Sequence, residues 1–143
     1  DKIRVLTIGV KKGSGLELQM EQGRFQLQSE TQIIEEQRLL ISNLENITSH
    51  YAHHHGVDLI LEARGQFPQD KKKLLAILDR FLSLPESDQV NFIMGRRVGY
   101  YQYLNDMDNI DKYNLVDAKV REIIKNYPGR LEEIFHQLRE RVV

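Results

Sequence analysis

Apolar and polar positions alternate at the start of the chain and then change period. Ile3, Val5, Thr7 and Val10 stand among charged and small residues, which predicts a strand over 3–10. Lys11 to Gly15 reads as a loop. Two patterns compete over 16–28. Leu16, Leu18 and Met20 alternate, with Gly23 placed to turn a hairpin into Phe25 and Leu27. Leu16 and Met20 also stand four apart, with Gly23 where a helix would stop, so a short helix fits as well. From Ser29 the period is helical. Ser29 and Gln32 have the spacing of a capping box, and Ile33, Ile34, Leu40, Ile41 and Leu44 share one face of a helix reaching about Glu45. The pattern over 47–56 selects neither strand, loop nor helix.

A shorter helix is expected over 57–63, broken by Arg64-Gly65-Gln66. Pro68 suits the first turn of the next helix, with Leu74, Leu75, Leu78, Phe81 and Leu82 inward and Lys71, Lys72 and Lys73 in solvent. Pro85 opens another, whose face is Val90, Ile93, Met94 and Arg97 or Val98, weakened by Gly95 and Gly99. A helix from about Asp108 to Asn126 runs through Val116, Val120, Ile123 and Ile124. Pro128 opens the last, with Leu131, Ile134, Phe135 and Leu138. The expected fold class is mainly α: about six helices preceded by one or two N-terminal β-strands. The division expected is a strand-containing segment over 1–28 and a helical domain over 29–143.

Composition narrows the function classes. Twenty basic residues against twenty-one acidic ones leave a net charge of -1, which gives no global attraction to nucleic acid or to an acidic membrane surface. The 143 residues contain no cysteine, so a thiol nucleophile or a cysteine-held metal cluster does not arise from them. The longest apolar runs fall short of the roughly 18 residues that span a bilayer, and a cytoplasmic chain is the expectation.

Two stretches carry candidate chemistry. His53, His54 and His55 follow His50 by three to five residues, and imidazoles three or four apart on a helix can share a metal. Consecutive histidines point in different directions, and Asp58 and Glu62 are the only acids at helical spacing. A surface histidine cluster is therefore expected over a metal site. The second stretch, FIMGRRVGYYQYLND at 92–106, joins Arg96 and Arg97 to Tyr100 and Tyr101 without an acid before Asp106. Arginine forks bind phosphate or carboxylate, and interleaved aromatics stack on bases. The competing reading pairs the arginines with acids on neighbouring helices and uses the tyrosines to seal the core.

Ile3-Arg4-Val5 with Thr7, then Gly13-Ser14-Gly15-Leu16, Gly23-Arg24-Phe25 and the Ser29 helix resemble the end of the catalytic domain in radical S-adenosylmethionine proteins of the oxygen-independent coproporphyrinogen oxidase type. In that family a late barrel strand reads I-R-V-x-T and a G-T-P-L turn follows; here the turn departs at Ser14 and Gly15. DKKKLLAILDRFLSLP at 70–85 and the later Gly95-Arg96-Arg97-Val98-Gly99 are similar to the helical C-terminal extension of some members. The resemblance implies a C-terminal fragment that packs on or caps a parent catalytic barrel. It implies S-adenosylmethionine and a [4Fe–4S] cluster for the parent protein, held by a C-x-x-x-C-x-x-C motif that these residues lack. It also implies Arg4 as a cofactor contact, and an open edge on the first strand that invites self-association. The alternative from the residues alone is a free-standing helical module that binds protein or RNA through 92–106.

Overall fold

The computed structural model describes residues 1–53 and 56–142. The chain is mainly helical, with a small sheet at one side. Strand β1 is Lys2–Val5, shorter than the alternation suggested; 6–10 continue without ladder partners. Helix α1 is Gly15–Glu21, which settles the ambiguous stretch as helix. Gly23 just beyond it takes a φ of 68°, the left-handed conformation that ends helices cheaply only at glycine. Helix α2 is Glu30–Asn43, and its capping box forms as the sequence predicted: the Gln32 amide donates to the Ser29 hydroxyl, and Ser29 N–H donates to the Gln32 side chain.

Strand β2 is His50–His53 and β3 is Gly65–Gln66. The sheet order is β1-β2-β3. β1 and β2 run parallel, with Ile3 opposite Tyr51 and Val5 opposite His53, whereas β3 is antiparallel to β2. Parallel neighbours need a crossover, and here α1 and α2 supply it. The chain thus passes residue 28 inside one β-α-β unit.

Helix α3 is Lys71–Leu82, α4 is Glu86–Arg97, α5 is Ile110–Asn126 and α6 is Leu131–Glu140. A 3₁₀ turn over Leu104–Asp108 leads into α5. α2 packs mainly on α3, and α4 packs on α5 and α6. One core unites them: Ile34 and Ile41 of α2, Tyr51 of β2, Leu74, Leu78 and Phe81 of α3, Phe92 to Met94 of α4, Val116 and Val120 of α5, and Phe135 of α6. Ile3 and Val5 pack against it from β1.

Three expectations are corrected. Residues 57–63 are turns, not a helix, although Val57, Leu59, Ile60 and Ala63 are all buried. The short apolar run reports burial, and periodicity does not distinguish a buried loop from a buried helix over so few residues. Lys71 is not purely a solvent residue: its Nζ donates to the carbonyls of Ser42 and Leu44, satisfying groups at the end of α2. The apolar face of α2 is wider than what it buries. Ile34, Gln37 and Ile41 turn inward, while Leu39 and Leu40 are 64% and 41% exposed.

Candidate functional site

The G-R-R-V-G stretch at the end of α4 is built into the fold residue by residue. A side chain at Gly95 would collide with the ring of Tyr101, so glycine is what lets that ring lie against the helix. Gly99 has a φ of 83°, and the turn it makes brings the amides of Tyr100 and Tyr101 back to the Gly95 carbonyl, at 2.8 and 3.0 Å. Tyr101 is buried, stacks on Phe92 and donates its hydroxyl to Asn91 Oδ1 at 2.7 Å. Tyr100 is exposed, with Lys119 over its ring.

Arg96 reaches across to the 56–59 loop. Its guanidinium donates to the carbonyls of Asp58 and Leu59 at 2.8 Å, and more weakly to those of Gly56 and Tyr101. Burial, followed by the neighbouring positive charge of Arg97, pulls its pKa below the usual arginine range. Arg97 is buried and grips Glu30 with both prongs, Nε and Nη2, each at 2.8 Å. Arg139 of α6, with no exposed surface, donates to the same carboxylate at 3.2 Å and to the Gln28 carbonyl. Glu30 thus joins the starts and ends of three helices, α2, α4 and α6. The four residues singled out in this stretch do not form one accessible patch. Arg97 pairs with an acid on a neighbouring helix, Arg96 with backbone carbonyls, and Tyr101 seals the core. The motif gave no sign of Glu30 or Arg139 as partners, because both lie far away in sequence.

A second polar cluster lies where β1 and β2 end. Both strands are parallel, so Thr7 and His53 arrive together at their carboxyl ends, the side where parallel sheets carry ligand sites. Thr7 Oγ1 donates to Asp58 Oδ1 at 2.7 Å. His53 Nδ1 stands 3.2 Å from Asp58 Oδ2, close enough for charge pairing but outside hydrogen-bond geometry. Asp58 is 1% exposed, and the loop that carries it is the one Arg96 clamps. Burial, with the nearby Asp58 carboxylate, raises the pKa of the Tyr51 hydroxyl well above the ordinary phenol. Among the described residues, Tyr51 Oη, His53 Nε2 and Glu62 Oε2 are buried without a hydrogen-bond partner. A buried carboxylate close to a buried imidazole is a pairing found at proton-transfer and ligand sites.

His50 is on the opposite sheet face, paired in register with Lys2. His54 and His55 lie outside the described residues. Among the described residues no group of three or more His, Asp or Glu side chains is placed to hold a metal ion. Arg4 is exposed on the sheet face turned away from the core, since Ile3 and Val5 on either side pack inward. No helix of the described residues is long and apolar enough to cross a membrane. Set against protein-family models, curated proteins and solved structures, the chain matches none of them.

Proposed function

We propose that this chain is the C-terminal region of a radical S-adenosylmethionine iron–sulfur oxidoreductase, similar to the oxygen-independent coproporphyrinogen oxidase type. It supplies the last strands of the catalytic barrel and a helical cap packed on them. The observation that carries this reading is the β1-α2-β2 unit. It is a parallel β-α-β unit, the kind of unit from which α/β barrels are built, with helices on one face of the sheet and a polar opposite face that bears Lys2, Arg4 and His50, although β3 on the far side of β2 is antiparallel. β1 is the edge of that sheet, and Leu6 and Ile8 beyond it are 59% and 54% exposed.

The chain has no cysteine, so the residues present do not fit the iron–sulfur cluster, and no step of its chemistry is assigned to them. Their work is architectural. Arg96 holds the loop that follows β2, and with it Asp58 and His53, at the carboxyl end of the strands. Glu30 locks α4 and α6 onto that unit through Arg97 and Arg139. In this reading Arg4, exposed on the sheet face turned away from the core, would face the barrel interior and the bound S-adenosylmethionine.

The test is anaerobic reconstitution of the whole polypeptide with iron and sulfide, followed by S-adenosylmethionine and a reductant. The reading expects about four irons per polypeptide, as a [4Fe–4S] cluster requires, and cleavage of S-adenosylmethionine. A polypeptide that takes up no iron would sink it. The free-standing helical module that binds protein or RNA through 92–106 is the less supported reading, because two of its four contact residues, Arg97 and Tyr101, are buried.

A further inference from the structure

A cleft of about 570 Å³ is bounded by residues 5–8, by the 25–28 segment and by α2. Residues 5–8 are the carboxyl end of β1 and its continuation. The carboxyl end of a parallel strand is where α/β folds hold their ligands. The cleft has the size of a small-molecule site. It opens on the α2 side of the sheet, the face to which Val5 turns and Arg4 does not. Its apolar walls include Ile8, Leu27, Ile33 and Leu40, and Phe25 adds an aromatic ring.

Most polar groups around the cleft are already engaged. Thr7 donates its hydroxyl to Asp58. Arg139 gives its donors to Glu30 and to the carbonyls of Gln28 and Ile8. Gln26, Gln28 and Glu36 are exposed at the rim. Gln37 is different. It is 4% exposed, and neither its Nε2 nor its Oε1 has a hydrogen-bond partner among the described residues. A buried amide with both ends unpaired is costly, and native proteins rarely keep one.

We propose that this cleft binds a flat, neutral, fused-ring heterocycle with a lactam edge, which pairs with the Gln37 carboxamide. A primary carboxamide offers an N–H donor and a C=O acceptor side by side. A lactam returns an acceptor and a donor at the same spacing, so two hydrogen bonds form at once. Glutamine reads the donor–acceptor edge of a nucleobase in the same bidentate way. Charge selects a neutral ligand. An anion finds no free guanidinium, because Arg139 is committed, and it meets Glu36 at the rim. A cation lies against apolar walls above Arg97 and Arg139, which outnumber Glu30 by one. A hydrocarbon without a polar edge leaves the amide unpaired. The proposal stands apart from the barrel reading, since it uses the sheet face opposite Arg4.

The test is an NMR titration of the whole polypeptide with two probes. One is carbostyril, a bicyclic lactam; the other is N-methylcarbostyril, in which a methyl group replaces the N–H. Carbostyril is expected to bind about tenfold more tightly, because the methylated probe leaves the Gln37 oxygen unpaired. It is also expected to slow amide exchange over 33–40 and to leave α5 unchanged. In Gln37→Leu, which keeps the side chain's bulk and removes the amide, the two probes should bind alike. The comparison of probes is made first on the unaltered protein, so it decides the matter even if the variant fails to fold. Four results would each overturn the proposal: no binding of carbostyril, equal binding of both probes, a preference that survives Gln37→Leu, or binding without protection of 33–40. Iron uptake in the reconstitution bears on the barrel reading alone, so the two can fail separately.

Discussion

Replacing Glu30 by alanine is the most demanding test of how the helices are joined. The carboxylate is 1% exposed and accepts two bonds from Arg97 at 2.8 Å and one from Arg139 at 3.2 Å. Without it two guanidinium groups remain buried near each other, and neither has another acid within pairing distance among the described residues. Removing one partner of a buried ion pair costs about 3–5 kcal/mol, a large part of a total stability of about 5–15 kcal/mol. At this chain length about 3 °C accompanies each kcal/mol, so Glu30→Ala should lower Tm by about 10–15 °C. Thermal and urea unfolding followed by far-UV circular dichroism would measure it. Arg139→Met is the informative companion. It leaves the bidentate Arg97–Glu30 pair intact and removes the surplus charge, so it should cost only about 1–2 kcal/mol, for the lost bonds to Glu30 and the Gln28 carbonyl. In the double variant the costs should fall short of their sum by at least about 1 kcal/mol, because Arg139 no longer needs the missing carboxylate. A Glu30→Ala shift below about 1 kcal/mol, with a cooperative transition retained, would refute the enclosed triad.

Three further outcomes follow from the same geometry. Gly95→Ala should destabilise by about 2 kcal/mol despite alanine's better helix propensity, because the Cβ meets the buried Tyr101 ring; a stabilised variant in urea unfolding would contradict the packing. Arg96→Met should speed amide exchange in the 56–60 loop while leaving α5 unchanged, since it frees the carbonyls of Asp58 and Leu59; uniform protection would show that the loop stands without the clamp. Asp106 accepts from the amides of Tyr103 and Gln102, and these bonds hold its carboxyl below the usual range. A depressed folded pKa stabilises above the unfolded value of about 3.9 and is lost as pH falls through the folded value. Asp106→Asn should therefore cost about 1 kcal/mol at neutral pH, with the gap to wild type closing in acid below about pH 4, and a gap that is constant with pH would refute this.

The sequence was most legible where local chemistry decides the outcome. The Ser29–Gln32 capping box, the proline at Pro85 and the apolar stripes of α3 and α6 are satisfied within a few residues, and the structure keeps them. It was least legible where partners are distant. β2 is four residues, two of them histidine, and becomes a strand because β1 lies beside it across the α2 crossover. Arg97 sat on the predicted inward face of α4, but Glu30, sixty-seven positions away, explains why a charge is there. Leu40 was placed in the buried stripe of α2 and instead faces the open cleft. Spacing brought His53 and Asp58 up together but as helix neighbours; that they meet with Thr7 depends on the parallel register of two strands, which no local pattern shows.

That these residues complete a radical S-adenosylmethionine barrel is the proposal most open to direct test. The most direct measurement is the nucleotide sequence of the reading frame ahead of the Asp1 codon. A parent barrel enzyme would carry a C-x-x-x-C-x-x-C motif in that frame, about two hundred residues upstream, as the size of a (β/α) barrel sets. A frame without those cysteines would contradict it and leave a helical binding module in its place.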